Sequence, residues 1–222
     1  SSDVKDAPFF KAAYNAAGYT TKQSGSSNVW TWFAHGLAKD LAKYDLIKNK
    51  HVPQAFMFGS FEQRLAVVQG LMDSDGCVTP EGRCLFSNTN SRIAEAFTEL
   101  LSSLGIKFTR HTKPPKRPHH KSSVAVSFWT DLPVCRLPRK LANIRGFKSV
   151  RTQHRSVRSV KAVGRGNATC FSVDSHNHSF LVGKTMIVTH NCLQFSGKAI
   201  ERGQQQGLQL LLYGRLLSTI LS

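Results

Sequence analysis

Apolar residues recur at every third or fourth position in some stretches of this chain and alternate with polar ones in others. Residues 8–18 and 28–46 show the helical spacing, the second with Trp30, Phe33, Leu37, Leu41 and Tyr44 on that period. The tract Asn49-Lys50-His51-Val52-Pro53 reads as an extended connector, because proline pushes the preceding residue out of the helical region. A third helix is predicted to follow. Ser60 is its N-cap, Gln63 completes a capping box, and Asp75-Gly76 ends it. Phe61, Leu65, Val68 and Met72 form its apolar stripe, while Ala66 and Gly70, four apart, leave another face bare enough for a second helix to approach closely.

Beyond Gly76 the pattern changes. Residues 77–87 read as a β-hairpin around Pro80-Glu81-Gly82. Asn90 or Ser91 then caps an amphipathic helix with Ile93, Phe97, Leu100 and Leu101 on one face and Gly105 at its end. Strands are expected at 106–111 and 123–129, separated by the basic, proline-broken loop 113–121. Short strand-like pieces follow at 156–163, 168–174, 179–183 and 185–189, and residues 196–222 are helical in pattern and rich in Gln and Leu. Three zones emerge: α+β to about 147, all-β to 191, and a tail.

Composition adds a partner class. The 30 Lys and Arg against 13 Asp and Glu give a net charge of +17, which favours a polyanion, since each cation that neutralises a phosphate releases counterions. The hydrophobic fraction of 41% is ample for a core. Five cysteines (Cys77, Cys84, Cys135, Cys170, Cys192) are scattered with no CxxC pair, and the nine histidines lack zinc-ligand spacing with them. No disulfide framework or zinc knuckle is expected, and a reducing, cytoplasmic setting is. No apolar stretch reaches the ~20 residues that span a bilayer, so no membrane partner is expected. The start lacks Met and any secretory or transit pattern, and reads as a piece of a longer chain.

The predicted helix 61–75 delivers Asp73 and Asp75 at its C-terminal end, an unfavourable place for an anion, so a divalent cation is a reasonable occupant. The tract Val68-Gln69-Gly70-Leu71-Met72-Asp73-Ser74-Asp75-Gly76 resembles the LAGLIDADG signature of homing endonucleases. The connector before it resembles the Lys-x-Ile-Pro element ahead of the second such helix in intein endonucleases, and Leu101–Lys107 resembles the usual sequel. The resemblance covers about 28–145. It implies that two such helices pack together and that their last acidic residues hold Mg²⁺ over the scissile phosphates of double-stranded DNA. Asp75 matches that ligand, and Asp73 matches a more structural position. Strands 77–87, 106–111 and 123–129 would form the saddle on DNA, with Arg83, Lys107, Arg110 and Arg117 as contacts. No first helix of this type occurs in residues 1–50, which implies the second half of such an enzyme.

The tract from Cys170 to Cys192, ending Thr189-His190-Asn191-Cys192, resembles the last two blocks of inteins. Asn191 can close its side-chain amide onto its own carbonyl, a ring closure favoured by proximity, and so break the bond to Cys192. The resemblance gives His190 the scissile carbonyl oxygen, and His178, with His176 as the alternative, the general acid–base role. Cys192 is the host protein's nucleophile. Cys170 stands where many inteins carry Asp, and a catalytic and a buried structural role both remain open for it. No intein-like N-terminus or Thr-x-x-His pocket is found, so the chain is expected to cleave at Asn191 at most, or to splice once paired with a missing N-terminal intein half.

The expected architecture is therefore α+β. Residues 1–147 are the second half of a DOD-type homing endonuclease, with helices on an antiparallel saddle. Residues 148–191 are the all-β C-terminal part of a Hint splicing domain, and 192–222 are host sequence. The alternatives are a degenerate DNA-binding module that no longer cleaves and a free-standing LAGLIDADG endonuclease.

Overall fold

The computed structural model describes residues 2–24, 29–115, 119, 121–146, 157, 159–162, 164, 166–167, 173–174 and 176–190. The chain divides into two units, Ser1–Phe147 and Lys148–Ser222.

The first unit opens with strand β1 (Ser2–Asp3) and a 3-10 turn (Val4–Asp6). Helix α1 (Ala7–Ala16) follows, with Pro8 in its first turn, where the missing N–H costs nothing. Gly18 ends it at φ +83°, a left-handed position that suits glycine. Strands β2 (Thr21–Ser24) and β3 (Val29–Ala34) and helix α2 (Leu37–Lys43) come next, with β3 between β1 and β2, antiparallel to both. The helix expected over 28–46 is thus corrected. Its first part is a strand, because Val29-Trp30-Thr31-Trp32-Phe33 is β-branched and aromatic and finds a partner in β2. Gly36, at φ +85°, separates strand from helix, a break that the spacing of apolar residues runs straight across.

After the connector comes a short helix, α3 (Gln54–Met57), and then α4 (Phe61–Asp75). The capping box forms as expected, with Gln63 N donating to Ser60 Oγ at 3.3 Å and Ser60 N donating to Gln63 Oε1 at 2.8 Å. Val68 and Met72 are fully buried and Leu65 half-buried. Phe61, which heads the predicted stripe, is 41% exposed. The face with Gly70 is open, with nothing within 4 Å of where a Cβ would stand.

Strands β4 (Gly76–Val78) and β5 (Cys84–Asn88) make the predicted hairpin, its turn closed by Thr79 N to Arg83 O at 2.9 Å. Asn90 caps helix α5 (Ser91–Ser103), accepting from Arg92 N and Ile93 N, and Gly105 follows it at φ +73°. Strands β6 (Phe108–Lys113) and β7 (Ser123–Phe128) and helix α6 (Pro138–Leu141) complete the unit. The antiparallel sheet runs β4-β5-β7-β6. Among the described residues helices cover one face: Cys84, Phe86, Val124, Val126 and Phe128 alternate inward against Phe97, Leu100, Leu101, Val68 and Met72. The Phe86 and Phe97 rings stack at 4.0 Å, with Phe97 and Phe128 at 6.0 Å. Each such side chain contributes about 1.5–3 kcal/mol by leaving water.

In the second unit β8 (Ser179–Val182) and β9 (Ile187–His190) form an antiparallel hairpin closed by Met186 N to Gly183 O at 3.1 Å. The strand expected at 156–163 is not formed at its described positions 157 and 159–162. They have no partner strand among the described residues, and Val157 and Val160 stay exposed. Of the piece at 168–174, only 173 and 174 are described, and they are irregular. The tail 196–222 lies outside the described residues. No helix among those described is long and apolar enough to cross a membrane.

Candidate functional site

Helix α4 parts the two carboxylates of its last turn. Asp75, its last residue, is exposed, and its Oδ2 accepts from Asn88 Nδ2 of β5 at 3.0 Å. Asp73 turns inward, 7% exposed, and accepts the backbone N–H groups of Arg136 and Leu137 at 3.0–3.2 Å. Asp73 therefore fixes the segment leading into α6, and Asp75 faces solvent. The strain of ending a helix on acids is relieved by a residue the sequence reading missed. Lys140 Nζ, the buried residue of α6, donates to the carbonyls of Met72 (2.8 Å), Asp73 (2.7 Å) and Gly76 (2.8 Å). Its cation sits at the negative end of the helix dipole. Burial pushes its pKa below the ordinary lysine value, partly opposed by nearby Cys135 and the acids.

Beside Lys140, Arg139 grips Asp6 through two bonds of 2.8 and 2.6 Å. That guanidinium holds the Asp6 carboxyl below the usual carboxylate range. Asp3, Asp6, Ser74, Asp75 and Arg139 share the lining of one open cleft of about 680 Å³. Cys84 and Cys135 are buried free thiols with pKa values pushed up to about 12, chiefly by burial, and so stay protonated.

Among the described residues no group of three or more His, Cys, Asp or Glu is placed to hold a metal. Mg²⁺ commonly takes one or two carboxylates and completes its shell with water and phosphate. An exposed carboxylate such as Asp75 fits a share of such a site.

On the sheet face away from the helices the described residues Leu85, Ser87, Thr109 and His111 are exposed, while Ala125 and Ser127 of the central strand are buried. Arg83 lies there, donating to Ser127 Oγ at 3.1 Å, and Ser127 Oγ is 2.9 Å from Thr109 Oγ1. Lys107 is exposed just before β6. Arg110 does not join them. It pairs across from Val126, an inward position, and reaches Glu95 of α5 at 4.0 Å. The expectation that it lies on the saddle is corrected, because side chains alternate along a strand and Phe108 already fixes its parity toward the helices. By the same alternation His111 and Lys113 stand on the open side with Thr109, and both are exposed. Phe108 was the signal that could have found them. Arg117 lies outside the described residues.

At the other end of the chain the β8–β9 register pairs Ser179 with His190, so His178 stands one residue beyond that pair. His178 has φ +53°, and its Nδ1 is 3.2 Å from the Val173 carbonyl. His176 lies in the preceding turn. Cys170, Asn191 and Cys192 lie outside the described residues.

Residues 62–152 match the family model described as LAGLIDADG-like domain. The chain is also 33% identical over 151 residues to the replicative DNA helicase DnaB of Mycobacterium intracellulare, covering 66% of this chain and 26% of that protein. It thus spans about a quarter of the length of this curated relative. Among solved structures it is similar to I-DmoI in complex with DNA and Mn, at 17% identity and TM-score 0.39, over 55% of this chain and 64% of that one. It is likewise similar to I-DmoI in complex with DNA and Ca, at 15% identity and TM-score 0.43, over 61% and 72%.

Proposed function

We propose that the chain is the C-terminal part of an intein inserted in a host protein, combining half of a site-specific double-stranded DNA endonuclease with the final splicing strands. The carrying observation for the nuclease half is α4 itself, which presents Asp75 outward at its end and an open small-residue face at Ala66 and Gly70. The bare sheet face with Arg83, His111 and Lys113, and the net charge of +17, suit phosphate contacts. Mg²⁺, when bound, supplies charge stabilisation to phosphodiester hydrolysis. Asp75 would hold it, Asn88 would orient the Asp75 carboxylate, and Arg83 and Lys107 would position the duplex backbone.

For the splice end, Asn191 attacks its own main-chain carbonyl through its side-chain nitrogen, forming a succinimide and releasing the amine of Cys192. His190 hydrogen-bonds the scissile oxygen, and His178 moves protons between the Asn amide and the leaving amine. Before that cleavage the Cys192 thiolate takes the N-terminal host segment from a thioester, and an S-to-N acyl shift onto the freed amine follows; Cys170 either assists the transfer or is structural. The hairpin that brings residue 178 to the end of β9 favours His178 over His176. The helicase relative supports an inserted element: a match over 66% of the chain must include 76–147 and so overlaps the LAGLIDADG-like domain, while filling only 26% of the helicase. Residues 192–222 would then be host sequence, and the setting cytoplasmic.

Intact mass after incubation tests the splice end. Release of a peptide beginning at Cys192, abolished by Asn191→Ala, is expected; a stable intact chain would overturn it. For the nuclease, chain joined to its N-terminal half should nick a supercoiled target plasmid, and Asp75→Asn should lower the rate at least a hundredfold. Undiminished cutting by that variant would remove Asp75 from the site.

A further inference from the structure

Asn88 is the last residue of β5, and its side-chain amide has one accepting and one donating end. Its Oδ1 accepts the backbone N–H of Asn90 at 2.8 Å, and its Nδ2 donates to Asp75 Oδ2 at 3.0 Å. Turned over, the amide would set its oxygen against a carboxylate and its NH₂ against an N–H. The Asn90 N–H therefore decides which end faces Asp75. That bond uses Asp75 Oδ2 and leaves Oδ1 to a cation.

Asn90 is itself engaged through every bonding group of its side chain. Its Oδ1 caps α5, accepting from Arg92 N at 3.0 Å and Ile93 N at 3.4 Å, and its Nδ2 donates to the Lys50 carbonyl at 2.9 Å. Arg92 donates to Asn49 Oδ1 at 2.7 Å. Asn49 Nδ2 in turn donates to Asp45 Oδ2 at 2.6 Å, and its carbonyl lies 2.9 Å from His51 Nδ1. Asp45 and Lys48 have left-handed backbones, φ +54° and +55°, a conformation uncommon for residues with a Cβ. The connector that leads into α3 and α4 is thus bound in one shape at its first two residues, and the start of α5 binds it.

We propose that Asn90 is a positioning residue for the Asp75 site, setting the aim of Asn88 and tying that aim to the connector 49–53. One hydrogen-bonded chain runs from the Lys50 carbonyl through Asn90 and Asn88 to Asp75 Oδ2. A shift of the connector moves residue 90, turns the Asn88 amide and redirects Asp75 Oδ1. The relay rests on hydrogen-bond distances alone, and its bearing on a reaction rests on the nuclease reading above.

The test uses Asn90→Ser, which keeps the cap and the N–H to Asn88 but removes the donor to Lys50. In NMR spectra of the chain alone, the Asn88 side-chain amide signals should shift with Asn90→Ser, as they should with Asp75→Asn. Amide exchange at Leu100 and Leu101 of α5 should stay as in the wild type. Unmoved Asn88 signals would overturn the proposal, and so would faster exchange at Leu100 and Leu101, which would show that Asn90 only caps. In the chain joined to its N-terminal half, Asn90→Ser should raise the Mg²⁺ concentration at half-maximal nicking about threefold or more, with DNA affinity unchanged. The comparison is the roughly 10- to 100-fold cost of losing a metal ligand's outer partner outright. Added to Asn88→Ala, the same substitution should do nothing further, since it acts only through Asn88, and an equal factor in both backgrounds would overturn the relay. Should Asn90→Ser not fold, Asn49→Ala, which frees Arg92 and leaves the cap untouched, decides on the same readouts. Undiminished cutting by Asp75→Asn would sink the nuclease reading instead, and the Asn88 signals would still decide the relay.

Discussion

Cys84–Leu141 and Ser2–Lys43 follow one order of elements but differ in what covers them. In Cys84–Leu141 Phe86, Phe97 and Phe128 are at most 2% exposed, packed with Val68 and Met72 of α4, which are fully buried. In Ser2–Lys43 Phe33 is 55% exposed, and among the described residues of that segment only Ala7 is buried to that degree, with Asp6 next at 7%. Strand pairing therefore sets the topology of both, while a buried core forms where α4 adds Val68 and Met72 to the helices over the sheet. A sheet with one apolar face must bury it against another layer.

That contrast can be broken most sharply by cavity mutations. Phe97→Ala should cost about 3–5 kcal/mol in urea unfolding, and Phe33→Ala within about 0.5 kcal/mol. Similar losses at both sites would erase the distinction. Lys140→Met comes next, at about 1–3 kcal/mol, because it leaves three carbonyls at the end of α4 without their donor. Amide exchange at Ser74–Cys77 should accelerate more than exchange in α5, and a uniform change would show that Lys140 only packs.

Asp6→Asn should cost about 1 kcal/mol or less, since Arg139 is largely exposed. The folded-state pKa of Asp6 lies below its unfolded value, so this stability is present above about pH 4 and lost as pH falls through the lowered value. A wild-type minus variant difference that does not shrink as pH falls below about 4 would exclude the ion pair as its source. The smallest effect has the opposite sign. Gly70→Ala should stabilise the chain alone by about 0.5–1 kcal/mol, because a Cβ there meets open space in a helix. A loss of stability instead would mean that the face is already covered.

Local signals were the legible part. Ser60 with Gln63, Asn90, and Gly105 fix helix ends through bonds a few residues long, and each falls where the pattern placed it. The tract Thr189-His190-Asn191-Cys192 is equally local. The misreadings share a cause. Trp30 and Phe33 keep helical spacing with Leu37, but a partner strand and Gly36 decide otherwise. Arg110 reads as a saddle cation until its register opposite Val126 turns it toward α5.

Sequence by itself determined the caps, the turn glycines, the α4 carboxylates and the splice-end residue types, because these depend on neighbours within one or two turns. Only the tertiary structure decided that Asp73 turns inward and Asp75 outward, that Lys140 closes the end of α4, and that Asp6 meets Arg139. Those choices join residues some 63 to 133 positions apart, and no periodicity carries information over that span. They are set by which groups must find hydrogen-bond partners once the core excludes water.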